Sequence, residues 1–585
     1  MTVILGLNAF HADSAACLVL DGKLVGAVAE ERLGAREKHS SAFPEHAIRW
    51  LLDANGLKLS DVTHVAIPRD TSANRLAKMA YVLKNPATGI ASAIEHFSRS
   101  QKTTSLLDNL AHICDADPAQ MRFQPVYVEH HLAHIASSYY CSPFDELTAG
   151  FSYDASGDFV SAMATRCEGS KIEVIDRVAL PHSLGFFYTA LCQYIGFDAF
   201  GEEYKVMGLA PYGEDRFHDE MKQLLRLPKD GWFNLAPGYF GMHSGGESGA
   251  VDNDNHLILD RLFTDKLSDL LGAPASRGEV TQREKDIARS TQIRFEAAAL
   301  HCLNRLYENV PSEQLVMAGG CALNGVANAR ILRETPFTTP YLQAAASDDG
   351  TCVGAAFWVW HNTLGQTERF HMEHAFWGPE YSDHEHLKAL EKTGLAIETC
   401  KDDEDLVQRT AQLIADGHVT GWYQGRSEWG PRALGNRSIL ANPCVPNMKA
   451  IINEKIKRRE SFRPFAPSVL KEDVATYFEQ DIFSPFMMHV AKIKTEWREK
   501  IPSVTHVDGT GRLQSVDPSS NRLYHSLIKA VKKHTGIGMV LNTSFNENEP
   551  VVDRPEQAVD CFMRTDMDSL VIGRYIVSKP PSPKG

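Results

Sequence analysis

The sequence predicts a two-domain α/β protein whose N-terminal half is internally duplicated, and three observations carry that reading. The chain has 585 residues, more than one hydrophobic core accommodates, since cores stop growing near ~250 to 300 residues. A strand-turn-strand pattern at the N-terminus recurs from position 149. Around Asn362 to Tyr381 an apolar run gives way to polar and Gly-Pro residues, which places a domain boundary there: residues 1–364 and 365–585.

The first copy of the pattern reads Val3 to Leu7 as a strand, Ala9 to Ser14 as a polar turn and Ala15 to Leu20 as a second strand. Asp21-Gly22 is a hairpin signal leading into Leu24 to Ala29. The second copy runs Gly150 to Tyr153, an acidic turn Asp154 to Asp158, Phe159 to Thr165, a Glu168-Gly169 turn and Lys171 to Ile175. Duplicated halves would face each other across a cleft; two unrelated antiparallel hairpins are the other reading of the same pattern. Ala47 to Asn55 and Ser290 to Asn309 have apolar residues at helical spacing. Residues 228–256 form a Gly-rich polar stretch expected to be a long functional loop, such as a substrate lid. The tail KPPSPKG is expected to be unstructured.

Hydrophobic residues make up 43% and charged residues 23%, an ordinary globular balance. Eleven cysteines without a Cys-x-x-Cys pair argue against a disulfide framework or a thiolate zinc knuckle, and for a reducing cytoplasm. His11 and Asp13 interrupt the N-terminal apolar stretch too early for a signal peptide, and Cys352 to Trp360 is too short to span a bilayer. A net charge of −14 opposes binding to nucleic acid or acidic membranes, so any anion site must be a local basic pocket.

His130 and His134 are four apart in VYVEHHLAHIASSYY, so on a helix both imidazoles share a face and can share a metal ion. A lone His-x-x-x-His is weak in a chain with 24 histidines. Asp154 and Asp348, both in small-residue turns, would complete a mixed site suited to iron, manganese or zinc, while Asp349 reads as a turn residue. Gly319-Gly320 follows an apolar strand, and Gly201 to Ala210 is a second glycine-containing stretch. Each either lets backbone approach a nucleotide or packs a helix on a sheet; no Walker P-loop occurs. Between Arg426 and Arg463, nine basic residues stand against three acidic ones, a local +6. Arginine forks bind phosphate bidentately, so the window suits a polyanionic small ligand, and few aromatics are interleaved for base stacking. Val540 to Asn546 reads as a strand ending in a polar cluster, able to bond phosphates or an adenine edge, or simply a turn.

Taken together, AFHADSAACLV, EERLGAREKHSSAFP, EHHLAH, HSLGFFY, GEEYKVMGLAPYG, GGCALN, SDDGT, EWGPRALGNRSIL, FRPFAPSVL and LNTSFNENEP resemble the NodU/CmcH family of carbamoyltransferases over essentially the whole chain. The resemblance implies an actin-like, TsaD-type N-terminal domain fused to a YrdC-like α/β C-terminal domain. It implies an O-carbamoyltransferase that joins carbamoyl phosphate to ATP as carbamoyladenylate, then passes the carbamoyl group to a hydroxyl of a small-molecule acceptor. The metal ligands fall on His130, His134, Asp154 and Asp348, with iron (Fe2+) as the family expectation, and Lys38, Lys205, Gly319, Gly320 and Asn324 fall near the adenylate. The activating site falls on Arg432, Lys457, Arg463, Arg512, Asn542, Ser544 and Asn546, with Lys457 and Arg432 expected to act in catalysis. His11 or Asp13, in the first turn, is positioned to act as general base toward the acceptor. A threonylcarbamoyl-type tRNA-modifying enzyme, an actin-like kinase or ATPase, and a non-catalytic actin-like module are the competing readings. The acidic charge, the C-terminal basic window and the His/Asp set speak against them in turn.

Overall fold

The computed structural model describes residues 1–84, 106–114, 121–241, 250–251 and 257–580. The chain divides into two compact units: Met1–Gly34 with His39–Met372, and Ala35–Lys38 with Glu373–Gly585. The change of unit thus falls at Met372, a little beyond the expected residue 364, and a four-residue excursion near the N-terminus belongs to the second unit.

The N-terminal unit contains two five-stranded sheets of the same topology. In the first, the order is Lys23–Ala29, Ala15–Leu20, Val3–Asn8, His64–Ile67, Gln124–Tyr127. The first three strands form an antiparallel meander and the last two add in parallel beside Val3–Asn8. The second sheet repeats this with Lys171–Ala179, Val160–Glu168, Thr148–Gly157, Gln314–Ala318, Thr339–Leu342, again a meander followed by two parallel strands. Two unrelated hairpins would not share the parallel additions. The duplication is therefore one of whole sheets, the arrangement of an actin-like domain.

Local chemistry explains where the strands turn. Asp21 and Gly22 both adopt positive φ, as the tight hairpin signal requires. In the second copy the expected turn at Asp154 is instead strand, because Thr148–Gly157 runs on through an irregularity between Tyr153 and Gly157. The reversal comes at Asp158 and Phe159, which both have positive φ. Helix Glu45–Ala54 forms as its spacing predicts, burying Ala47, Ile48, Leu51 and Leu52. The helix expected from Ser290 starts earlier, at Gln282, where Thr281 and Glu284 form a capping box.

The helix His130–Tyr139 packs on Thr351–Trp358, and a Cβ at Gly354 would overlap the Ala133 carbonyl. That contact brings the loop at Asp348 beside His130 and His134. Of the expected lid, residues 242–249 and 252–256 lie outside the described residues; the described part is packed. Trp232, Phe233, Tyr239 and Phe240 are buried, and Trp232 Nε1 donates to Asp176 at 2.8 Å, so its aromatic content outweighs its glycines. Residues 581–585 of the tail also lie outside the described residues.

The C-terminal unit is α/β, built on a nine-stranded mixed sheet. Thr420–Tyr423 and Arg437–Ala441 pair antiparallel near its middle, followed by Met539–Ser544, Ala466–Leu470 and Thr510–Val516. Helices Asp403–Ala415 and Arg522–Thr535 cover one face, burying Leu406, Val407, Ile414, Leu527 and Val531 with Trp422, Leu440, Val540 and Val571. Arg437, counted in the sequence among the phosphate-seeking residues, is wholly buried and structural. Its guanidinium donates to the carbonyls of Gln424 (2.7 Å), Asn436 (3.0 Å), Gly425 (3.0 Å) and Pro379 (3.3 Å) and lies 3.7 Å from the Tyr423 ring centroid. Arg437→Leu strips a donor from each of four carbonyls and should cost about 3 kcal/mol or more. Thermal unfolding should show the C-terminal transition lowered by roughly 6 to 12 °C; an unchanged transition would refute the structural role.

Candidate metal centre and anion site

Four donors converge in the N-terminal unit. One turn of helix separates His130 from His134, so their Nε2 atoms approach to 3.0 Å. Asp154, near the end of its long strand, places Oδ2 3.0 Å from His134 Nε2. Asp348 reaches in from the loop before Thr351–Trp358, with Oδ1 3.4 Å from both imidazole nitrogens. These four ligand atoms all lie within 4.8 Å of one another. Donors at ~2.1 Å from a tetrahedral cation stand ~3.4 Å apart, so these spacings suit ligands of one ion.

The remaining carboxylate oxygens are already engaged. Asp154 Oδ1 accepts from Ala155 N at 2.6 Å, and Asp348 Oδ2 lies 2.6 Å from His11 Nδ1. The other two, Asp154 Oδ2 and Asp348 Oδ1, are buried with no well-formed hydrogen bond among the described residues. Those are the two oxygens that face the imidazoles. Burial disfavours an imidazolium at His134, but the Asp154 and Asp348 carboxylates facing it outweigh this and hold it up to about 9. A divalent cation would satisfy the same carboxylates and leave the imidazoles neutral, so the residues fit a mixed nitrogen and oxygen metal site.

The second constellation lies in the C-terminal unit and is cationic. Arg512 is held below the ordinary arginine range by burial and then by repulsion from Arg432, Arg463 and Arg459. Burial, followed by repulsion from Arg463, lowers Arg432 to about 10. Arg432 Nε is buried with no hydrogen bond among the described residues. Half-buried arginines whose shifting neighbours are other arginines suit an anion of several charges. Lys457 is buried beside them. It donates to Ser544 O (2.5 Å), Asn546 O (2.7 Å) and Asn546 Oδ1 (2.5 Å), and Ser544 Oγ donates to Asn546 Oδ1 at 2.8 Å. Asn542 Nδ2 bonds Ala433 O and Ser468 Oγ at 3.0 Å each, leaving its own oxygen buried without a partner.

Sequence comparison gives these sites a family. Models of the carbamoyltransferase N-terminus and C-terminus match residues 3–357 and 411–579. The chain belongs to the carbamoyltransferase family. An uncharacterized protein of Synechocystis sp. is 38% identical, the match covering 100% of this chain and 98% of the relative. Nodulation protein NolNO of Sinorhizobium fredii is 37% identical, over 98% of this chain and 80% of its own. The 3'-hydroxymethylcephem-O-carbamoyltransferase of Amycolatopsis lactamdurans is 29% identical, over 56% of this chain and 62% of its own. The protein is thus an enzyme that transfers carbamoyl groups. No described helix is long and apolar enough to cross a membrane.

The other residues singled out in the sequence of this carbamoyltransferase sort by unit. His11 touches Asp348, whereas Asp13 Oδ1 lies 2.7 Å from His39 Nδ1 and Asp13 Oδ2 accepts from Ser347 Oγ at 2.8 Å. Gly320 abuts Asp154 Oδ1, just beyond strand Gln314–Ala318. Lys205 is paired with Glu202 at 2.7 Å. Asn324 caps helix Gly325–Glu334 and bonds Gln292, so its side chain is committed to the fold. Lys38, grouped with these by the resemblance, falls in the C-terminal unit, where its charge acts on Lys457. Two groups went unselected in the sequence: Arg459, which repels Arg512, and His39. Arg459 sat in the +6 window, but nothing in the sequence separated it from its solvent-facing neighbour Arg458. Burial of His39 is outweighed by Asp13, Glu31 and Glu203, which raise it to about 9.

Proposed function

We propose that this enzyme is an O-carbamoyltransferase that activates carbamoyl phosphate with ATP in its C-terminal unit. Its N-terminal unit then transfers the carbamoyl group to a hydroxyl of a small-molecule acceptor. The half-buried arginine cluster carries the reading. ATP and carbamoyl phosphate together bear roughly six negative charges. Bringing them together needs several fixed cations, and Arg432, Arg459, Arg463 and Arg512 supply them without a carboxylate among the groups that shift Arg432 and Arg512. In this YrdC-like activation, water cleaves carbamoyl phosphate to carbamate and inorganic phosphate, the carbamate oxygen bonds the α-phosphorus of ATP to give carbamoyladenylate, and pyrophosphate leaves, its charge met by the same guanidinium groups. Lys457 holds the Ser544–Asn546 turn that lines the cations, acting on the substrates through that turn.

In the N-terminal unit, His130, His134, Asp154 and Asp348 would hold a divalent metal, for which iron is the family's expectation. Such an ion supplies Lewis acidity toward the carbamoyl or phosphate oxygens. His11, 2.6 Å from Asp348, is placed to take the acceptor's proton, and Asp13 to hold His39. AMP leaves as the hydroxyl oxygen bonds the carbamoyl carbon. The cephem enzyme among the relatives acts, by its name, on a hydroxymethyl group, which is why a hydroxyl is proposed as acceptor here. The net charge of −14 argues against tRNA in that role, and the reaction fits an enzyme of the cytoplasm. Purified enzyme given both ATP and carbamoyl phosphate should release pyrophosphate and, with an acceptor, AMP. Release that is independent of carbamoyl phosphate would refute the activation.

A further inference from the structure

The metal reading explains four side chains and leaves Asp158, a buried acid beside them, without a role. Asp158 sits at the hairpin reversal after Gly157, 4% exposed and with positive φ. Its Oδ2 accepts from His130 N at 2.9 Å and from Asp70 N at 2.8 Å. The helix that carries both histidines begins at His130, and its own N-cap, Glu129, makes no side-chain capping bond. The cap comes instead from this hairpin reversal, placing a carboxylate at the positive end of the helix dipole.

The neighbours of Asp158 tighten the same point. A Cβ at Gly157 would overlap the His130 ring, so the imidazole lies flat against the backbone just before Asp158. Glu129 is clamped by Arg177 through bonds of 2.9 and 2.7 Å and by Asn74 at 2.8 Å. Asn74 also donates to the Asp158 carbonyl at 3.0 Å. The backbone pivot of His130 is therefore held from both sides.

From this geometry we infer that Asp158 is a positioning residue for the metal centre: it fixes the His130 backbone, and thereby aims the His130 imidazole at the ion. The inference rests on the metal reading of the His130, His134, Asp154 and Asp348 cluster. Groups that orient metal ligands from outside the coordination sphere typically contribute ~10 to 100-fold in metal affinity. Asp158 does so through the main chain.

The test uses the full chain and Co2+ as probe, with affinity measured by chelator competition alongside circular dichroism and pyrophosphate release. Asp158→Ala should weaken Co2+ binding by ~10 to 100-fold while pyrophosphate release, carried by the other unit, stays at the wild-type rate. Asp158→Asn keeps one carbonyl oxygen as acceptor and should lose only a few-fold. Wild-type affinity in a folded Asp158→Ala overturns the inference. If that variant does not fold, Asp158→Asn decides: affinity equal to wild type overturns the inference, and a measurable loss supports it. A wild-type protein that binds no Co2+ overturns the metal reading itself, which separates the two failures.

Discussion

His134→Ala should abolish carbamoyl transfer while leaving pyrophosphate release from ATP and carbamoyl phosphate within about twofold of wild type. His134 Nε2 is the most central of the four donors, 3.0 Å from both His130 Nε2 and Asp154 Oδ2 and 3.4 Å from Asp348 Oδ1. Removing it opens a cavity at the convergence point and leaves Asp154 and Asp348 as two buried carboxylates with one imidazole between them. Loss of one preorganised electrostatic contact commonly costs ~10² to 10³ in rate, and loss of a metal donor should reach the upper figure or more. The proposed activation is assigned to residues of the other unit, so its rate has no reason to follow. Synthetic carbamoyladenylate should not rescue the variant. The measurement is pyrophosphate detection and product mass on the same preparation. Equal loss of both signals in a folded protein would dissolve the proposed division of labour.

How much of this was legible in the sequence depends on whether the information was local. Asp21-Gly22 announces its hairpin because the two positive φ values it needs are a property of those residues. His130 and His134 could be paired because a helix turn brings fourth neighbours together whatever the rest of the chain does. The same logic failed at Asp154, whose turn-like composition lies within the strand Thr148–Gly157, in the irregular stretch between the paired residues Tyr153 and Gly157. Partnerships across the chain were out of reach: nothing local says that His11 meets Asp348, or that residues 35–38 belong with the C-terminal unit.

The basic window shows the limit most clearly. Its charge excess pointed to an anion site, yet the sequence could not rank its members. The fold divides them by environment. Arg437 saturates main-chain carbonyls, and Arg458 faces solvent with Glu547 3.3 Å away. Arg432, Arg459 and Arg463 join Arg512, more than forty positions later in the chain, in mutual repulsion. Local charge density reveals that a cation cluster exists; only tertiary structure reveals which cations act on one another.

Arg432→Met should therefore make the protein more stable and far less active. Burial, and then repulsion from Arg463, lower Arg432 to about 10, below the ordinary arginine range. A base whose folded pKa lies below its unfolded one destabilises the fold at every pH under that folded value. The penalty fades only as pH rises through about 10 toward the unfolded value. At neutral pH the full penalty applies, on the order of 1 to 3 kcal/mol. Methionine fills similar space without charge, so the C-terminal transition should rise by up to roughly 6 to 12 °C. Pyrophosphate release should fall by ~10² to 10³, because the missing guanidinium is one of the fixed cations facing the phosphates. Pyrophosphate itself should stabilise wild type by binding the folded state, and stabilise the variant less. The decisive pair of measurements is thermal unfolding with and without pyrophosphate, set against the activation rate. A variant that loses stability while keeping activity would show that Arg432 supports the fold and does not serve the phosphates.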